Sequence, residues 1–196
     1  GSQASLNSVL APKGFSRVRL PIENRRPFAW WPNAEYNVVL SVQTNPESQT
    51  YLPGERKALR DFVEQGGGLI LVGDRISDVA RRARWPLNQL LADYGAAFSG
   101  DSGAAGGVRA ARILAEPPWE PLLKDAEGGM VVAGREVGKG RILVAGAVAL
   151  IDWNARDLGT DDEDARLSRL SEWVRWASAG KPPVGGTTQL PAAAGG

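Results

Sequence analysis

The hydrophobic positions of the chain fall into short blocks separated by polar and glycine-rich stretches. Asn37 to Val42 (Asn-Val-Val-Leu-Ser-Val) is an uncharged run rich in β-branched side chains, the pattern of a buried strand. A polar loop, Gln43 to Thr50, follows, and Pro53 stands where a helix tolerates a missing N–H. From Glu55 to Gln65 the spacing of Leu59, Phe62 and Val63 predicts one apolar helix face, with Glu55 in the first turn, where the helix dipole favours it. Gly66-Gly67-Gly68 ends that helix, and Leu69 to Val72 is a second buried strand, closed by Gly73-Asp74. A strand, a helix and a strand with short connections predict parallel pairing.

Further on, Leu87, Leu90, Leu91 and Tyr94 form a helical stripe that Gly95 ends. Gly100 to Gly107 reads as a flexible loop of glycine and alanine. Met130–Arg135 and Arg141–Ala145 read as strands joined at a Val137-Gly138-Lys139-Gly140 hairpin turn. A last helix starts near Asp161-Asp162 with Leu167, Leu170, Trp173, Val174 and Ala177 on its apolar face; Gly180 and Pro182 stop it. Before the first block, Leu6–Leu10 suits a short helix and Arg17–Leu20 a strand. The opening strand that a doubly wound domain normally places first is thus either absent or supplied elsewhere.

These blocks predict an α/β fold. The expected form is a three-layer sandwich with a mostly parallel central sheet, flavodoxin-like, with helices on both faces and a small C-terminal β-hairpin. Residues 1–5, opening with the vector-like Gly1-Ser2, and the Gly/Pro/Ala/Thr tail 180–196 are expected to lie outside a single domain spanning 6–179. Such a tail reads as a linker within a larger protein.

Composition narrows the chemistry. The 196 residues contain neither cysteine nor histidine, which removes thiol nucleophiles, disulfides, Cys/His zinc sites and histidine proton transfer. A net charge of +1 argues against a nucleic-acid partner, and no apolar run is long enough for a membrane span. Absent cysteine fits the cytoplasm and a bacterial envelope compartment alike; a secreted or periplasmic setting is the expectation taken forward. No cofactor and no metal are expected.

The stretch Tyr36-Asn-Val-Val-Leu40, the block Leu59-Arg-Asp-Phe-Val-Glu-Gln-Gly-Gly-Gly-Leu-Ile-Leu-Val-Gly-Asp74, and Gly138-Lys-Gly-Arg-Ile-Leu-Val-Ala-Gly146 with a helix ending Trp173-Val-Arg-Trp176 carry a resemblance. Together they resemble the class I glutamine-amidotransferase-like superfamily. The similarity is greatest to its non-amidotransferase branches: trehalose-utilisation-type domains and accessory domains of large bacterial hydrolases and metallopeptidases. Catalytic members of that superfamily place a cysteine at the turn after the strand assigned to Leu69–Val72, where this chain has Gly73-Asp74. They place a histidine after the strand assigned to Arg141–Ala145, where this chain has Gly146-Ala147-Val148. The resemblance therefore implies a scaffold that has lost the thiolate chemistry.

The remaining candidates each have two readings. Asp74, with Arg75 and Asp78, sits where open α/β sheets bind ligands, or it caps the next helix. Asp152-Trp153-Asn154 with Arg156 and Asp157 would meet Asp74 at the same sheet end as a sugar site or an acid–base pair, or it is a solvated loop. Phe28, Trp30 and Trp31, between Pro27 and Pro32, form a contact surface for a domain or glycan, or they cover the sheet. Asp161-Asp162-Glu163-Asp164 is an acidic helix start without calcium-loop spacing, and Arg81-Arg82-Ala83-Arg84 is a short basic run on a solvated face.

Two functions remain open. One is a non-catalytic accessory module of a larger bacterial protein, binding a neighbouring domain, a protein partner or glycan through Phe28, Trp30, Trp31, Arg75, Trp153 and Asn154. The other is a carbohydrate hydrolase using Asp74, Asp152 and Asp157.

Overall fold

The computed structural model describes residues 37–45, 47, 50–105, 107–151 and 160–178, with side chains from 168 onward in the last stretch. The expectations placed on Leu6–Leu10, Arg17–Leu20, Phe28, Trp30, Trp31, Asp152, Trp153, Asn154, Arg156, Asp157, the side chains of Asp161–Asp164 and the tail lie outside the described residues. In chain order the elements are β1 (Val38–Val42), α1 (Pro53–Glu64), β2 (Gly68–Val72), α2 (Val79–Arg84), α3 (Pro86–Ala92), β3 (Ala96–Ala105) and β4 (Val108–Ala115). β5 (Glu120–Lys124), β6 (Met130–Val137), β7 (Gly140–Ala145), a 3-10 turn at Val148–Leu150 and α4 (Thr160–Ser178) complete them.

The mostly parallel, flavodoxin-like sheet is not what forms. The main sheet is mixed, ordered β1-β2-β7-β6-β5, and β3 and β4 make a second, two-stranded antiparallel sheet. Only β1–β2 and β2–β7 are parallel; β7–β6, β6–β5 and β3–β4 are antiparallel. The reason is connection length. β6 and β7 are joined by a tight turn in which Val137 pairs with Gly140, so no crossover helix can intervene and the direction must reverse. The hairpin expected at the C-terminal side is therefore no appendage: β7 is the middle strand of the main sheet.

The continuous apolar runs are explained by two faces. Leu69, Leu71, Ile142 and Val144 pack with Leu59, Phe62 and Val63 of α1, whereas Ile70, Val72, Leu143 and Ala145 pack with Leu170, Trp173, Val174 and Ala177 of α4. Strands covered on both sides lose the alternation that a half-exposed strand shows. α1 begins at Pro53, and the Glu55 carboxylate accepts from the Leu52 N–H at 2.8 Å, which fixes its first turn.

The stretch read as a flexible loop at Gly100–Gly107 is mostly strand. β3 runs to Ala105 and pairs with β4, with a register shift between Phe98 and Ser102. Its glycines serve close approach rather than mobility: a Cβ at Gly100 would lie 2.1 Å from Arg82 Nη1, and one at Gly103 would lie 1.8 Å from Asp125 Oδ2.

Candidate functional site: the carboxyl-terminal end of the parallel strands

Val42, Val72 and Ala145 stand level in the register of β1, β2 and β7, so the three parallel strands end together. Chain segments leaving such a row of ends form the usual ligand crevice of an α/β sheet. Here they are Gln43 after β1, Gly73-Asp74-Arg75 after β2 and Gly146-Ala147-Val148 after β7. The Gly73 N–H donates to the Ala145 carbonyl at 3.0 Å and the Gln43 N–H to the Val72 carbonyl at 2.9 Å, which carries the ladder one step past each strand.

Directly above Gly73 and Gly146 the crevice is filled. A Cβ on Gly73 would lie 2.5 Å from Trp85 and 2.7 Å from Phe98. Both aromatic side chains are fully buried, with ring centroids 5.0 Å apart and planes tilted by 39°. A Cβ on Gly146 would lie 1.9 Å from the carbonyl oxygen of Ala111. That approach is fixed by the main chain: the Ala111 N–H donates to the Gly146 carbonyl at 2.8 Å, and the Gly146 N–H donates to Val131 at 2.9 Å. Phe98 lies on β3 and Ala111 on β4. The β3–β4 hairpin thus crosses the strand ends, placing Ala111 and Ile113 in one core cluster and Val108 and Ala110 in the other.

Asp74 is half-buried, and its Oδ1 accepts from the Arg75 N–H of its own turn at 2.7 Å. It does not cap the following helix. Asp78 does so, accepting from the Arg81 N–H at 2.8 Å, and this bond holds its carboxyl below the usual range. Arg75 is exposed, with Nε donating to the Gly100 carbonyl at 3.2 Å. At the β1 end, Ser41 Oγ and the Tyr51 hydroxyl share a hydrogen bond of 2.6 Å, and burial pushes the Tyr51 phenol up. A base would need the opposite shift. Of the sequence candidates, the described residues bring together Asp74, Arg75 and Asp78 on one loop.

Sequence reasoning missed the residues that close this end: Trp85, Phe98 and Ala111. It also missed the polar pin that seats the hairpin. Asp125 has a fully buried side chain that accepts from Arg112 Nε at 2.6 Å, from the Glu127 N–H at 2.9 Å and from the Gly129 N–H at 2.8 Å. Arg112, on β4, also holds Glu127, and the Ala126 N–H reaches the Ala104 carbonyl at 3.3 Å. The Arg112 guanidinium, with the two backbone donors, holds the Asp125 carboxyl below its ordinary value, and the same bond raises the Arg112 pKa.

A depressed folded-state pKa stabilises the fold above the unfolded value of about 3.9. That contribution is lost as pH falls through the folded value. Asp125→Asn is therefore expected to melt well below the parent at neutral pH, with the gap closing below about pH 4. Thermal midpoints measured across that range check it; a gap independent of pH would mean that the carboxylate charge is not what seats the hairpin.

No protein-family model matches the chain, and no curated protein matches it. Among solved structures, the cytoplasmic protein STM3548 from Salmonella typhimurium is similar in fold, with a TM-score of 0.57 and 10% identity over 88% of this chain and 85% of that one. This likeness shows a shared mixed α/β fold. The exo-beta-1,4-mannosidase Op5Man5 from Opitutaceae bacterium strain TAV5 aligns with a TM-score of 0.41 and 19% identity, over 70% of this chain and 25% of that chain. The chain thus spans a quarter of the mannosidase, and a likeness this weak carries no argument. Among the described residues no helix is long and apolar enough to cross a membrane.

Proposed function

We propose that this chain is a non-catalytic accessory module of a larger protein, built on an amidotransferase-like strand–helix–strand unit and serving to bind a partner. One observation carries the reading. At the two turns where the resemblance puts the nucleophile and its histidine, this chain has Gly73-Asp74 and Gly146-Ala147-Val148, and the space that a side chain on Gly73 or Gly146 would need is taken by Trp85, Phe98 and the Ala111 carbonyl. Loss of the residues alone would leave an empty crevice open to another chemistry. Here the crevice has been packed with core, which supports a role in recognition over a replaced reaction. The carboxylate-hydrolase alternative gains no such support: Asp74 is engaged by its own turn, and Asp152 and Asp157 lie outside the described residues.

The test is turnover. The purified chain is expected to release no ammonia from glutamine and no chromophore from a panel of aryl glycosides. Turnover that disappears in Asp74→Ala would overturn the reading. Association with the parent protein's other domains is the positive arm. Trp30→Ala and Trp31→Ala, in the segment that the sequence assigns to partner contact, should each weaken it by about 2 kcal/mol or more if that residue is an anchor.

A further inference from the structure

α2 (Val79–Arg84) follows the carboxyl-terminal end of β2, and none of its six residues is buried. Six residues are too few for a helix to persist alone. It is held at its start and along one flank. Asp78 caps it, Arg82 Nη1 donates to the Ile76 carbonyl at 2.9 Å, and Asn88 Nδ2 donates to the Arg82 carbonyl at 3.2 Å. Arg82 also covers Gly100. The remaining surface is fixed in place yet unused by the core. It presents Val79, 69% exposed, with exposed Ala80 and Ala83, and with Arg81 and Arg84 one turn apart. Exposed Arg75 precedes it.

The contacts these arginines make are local or exchangeable. Arg84 Nε donates to the Ala80 carbonyl of its own helix at 3.2 Å, and Arg75 Nε to Gly100. Arg81 Nη2 lies 3.7 Å from Glu47 Oε1, with both side chains largely exposed, a pairing that contributes little. Of the nearby carboxylates among the described residues, Asp78 is spent as a cap and Asp74 accepts from the Arg75 N–H. The forked, weakly hydrated guanidinium suits carboxylate recognition better than a lysine does, and arginine beside an exposed aliphatic is the composition of an interface core.

We infer that this face docks an acidic, extended segment of a protein partner. Its carboxylates are taken by Arg81 and Arg84, neighbours on the helix, and by Arg75, and an apolar side chain seats on Val79, which lies across Ala80 and Ala83 from that pair. The inference rests on the interaction-module reading and names where the partner sits. Nucleic acid fits less well: a net charge of +1 provides no broad field for a polyanion, and Val79 with two alanines offers it no polar partner.

The experiment is fluorescence anisotropy on the full chain with two labelled probes of equal charge: a peptide alternating glutamate and leucine, and an oligoglutamate. Arg81→Glu/Arg84→Glu is expected to weaken the mixed peptide at least about tenfold with its melting temperature unchanged. The neutral Arg81→Gln/Arg84→Gln pair should lose less, in the same direction. Val79→Ser should weaken the mixed peptide severalfold and leave oligoglutamate unchanged. Absent binding by the parent chain, or equal binding by the double variant, overturns the proposal; so does tighter binding of single-stranded DNA of the same charge. Turnover in the hydrolase assays would defeat the interaction-module reading without altering these binding results, so the two failures are separable.

Discussion

Trp85→Ala is expected to destabilise the fold by about 4 kcal/mol, within the range for removing a large aromatic from a packed core. Trp85 is completely buried between α2 and α3, touches the space above Gly73 and packs against Phe98. Trp85→Phe should lose less, about 1–2 kcal/mol, for a specific reason. The indole Nε1 is buried with no hydrogen-bond partner among the described residues, so its removal breaks no bond. The decisive comparison is a double-mutant cycle. Gly73→Ser places its Cβ against both Trp85 and Phe98 in the parent chain, whereas in Trp85→Ala the indole contact is gone and the Phe98 ring has room to shift aside. The two changes should therefore couple by about 1 kcal/mol or more, the serine being better tolerated without the indole. Urea unfolding of the four proteins checks it. Additive effects would mean that Trp85 does not plug the strand end and would remove the observation on which the non-catalytic reading stands.

What could be read from the sequence depended on how local its cause was. β1, α1, β2 and the β6–β7 pair carry their reasons within a few residues: a β-branched run, a 3.6-residue stripe after Pro53, a glycine stop, a tight turn. All four form where the pattern puts them. The sheet as a whole was misjudged because one strand–helix–strand unit was extended to strands with no crossover between them. β5 left almost no trace. It is an exposed edge strand, contains Pro121, and has register shifts on both sides of Leu123, so neither alternation nor propensity marks it.

β3 was hidden for the opposite reason. Its glycines face Arg82 and Asp125, side chains that come from other elements, so the cause of their small size lies far away in sequence. The site was legible to the same extent. Gly73-Asp74 was correctly placed at the end of a buried parallel strand, and the lack of any cysteine or histidine could be read directly. That the space above Gly73 and Gly146 is filled by Trp85, Phe98 and Ala111 is a property of the tertiary packing, and nothing in the local pattern of these residues announces it. Asp78 could have been preferred to Asp74 as the helix cap, since it immediately precedes the helical run Val79–Arg84.

The hairpin's closure predicts that Gly146 will not accept even a methyl group. An alanine Cβ there would sit 1.9 Å from the Ala111 carbonyl oxygen, 2.9 Å from its carbon and 3.0 Å from its nitrogen, all of them backbone atoms. A flexible side chain would swing aside at small cost. Ala111 cannot, because its N–H is bonded to the Gly146 carbonyl and β4 is tied to the β5–β6 turn through Arg112 and Asp125. Nor can Gly146 retreat without breaking its own bond to Val131. Gly146→Ala is therefore expected to destabilise by about 3 kcal/mol, the upper end for overpacking a filled interior. The matched control is Gly54→Ala in α1, where nothing lies within 4 Å of the new Cβ. It should be neutral or stabilising by up to about 1 kcal/mol on helix propensity. Hydrogen exchange reports where the strain goes: in Gly146→Ala the Ala111 amide should lose protection while those of β2 keep theirs, because the hairpin yields before the sheet does. Gly146→His should displace the hairpin further. A neutral Gly146→Ala with Ala111 still protected would mean that the hairpin is not seated on the strand ends, leaving the crevice open to a ligand.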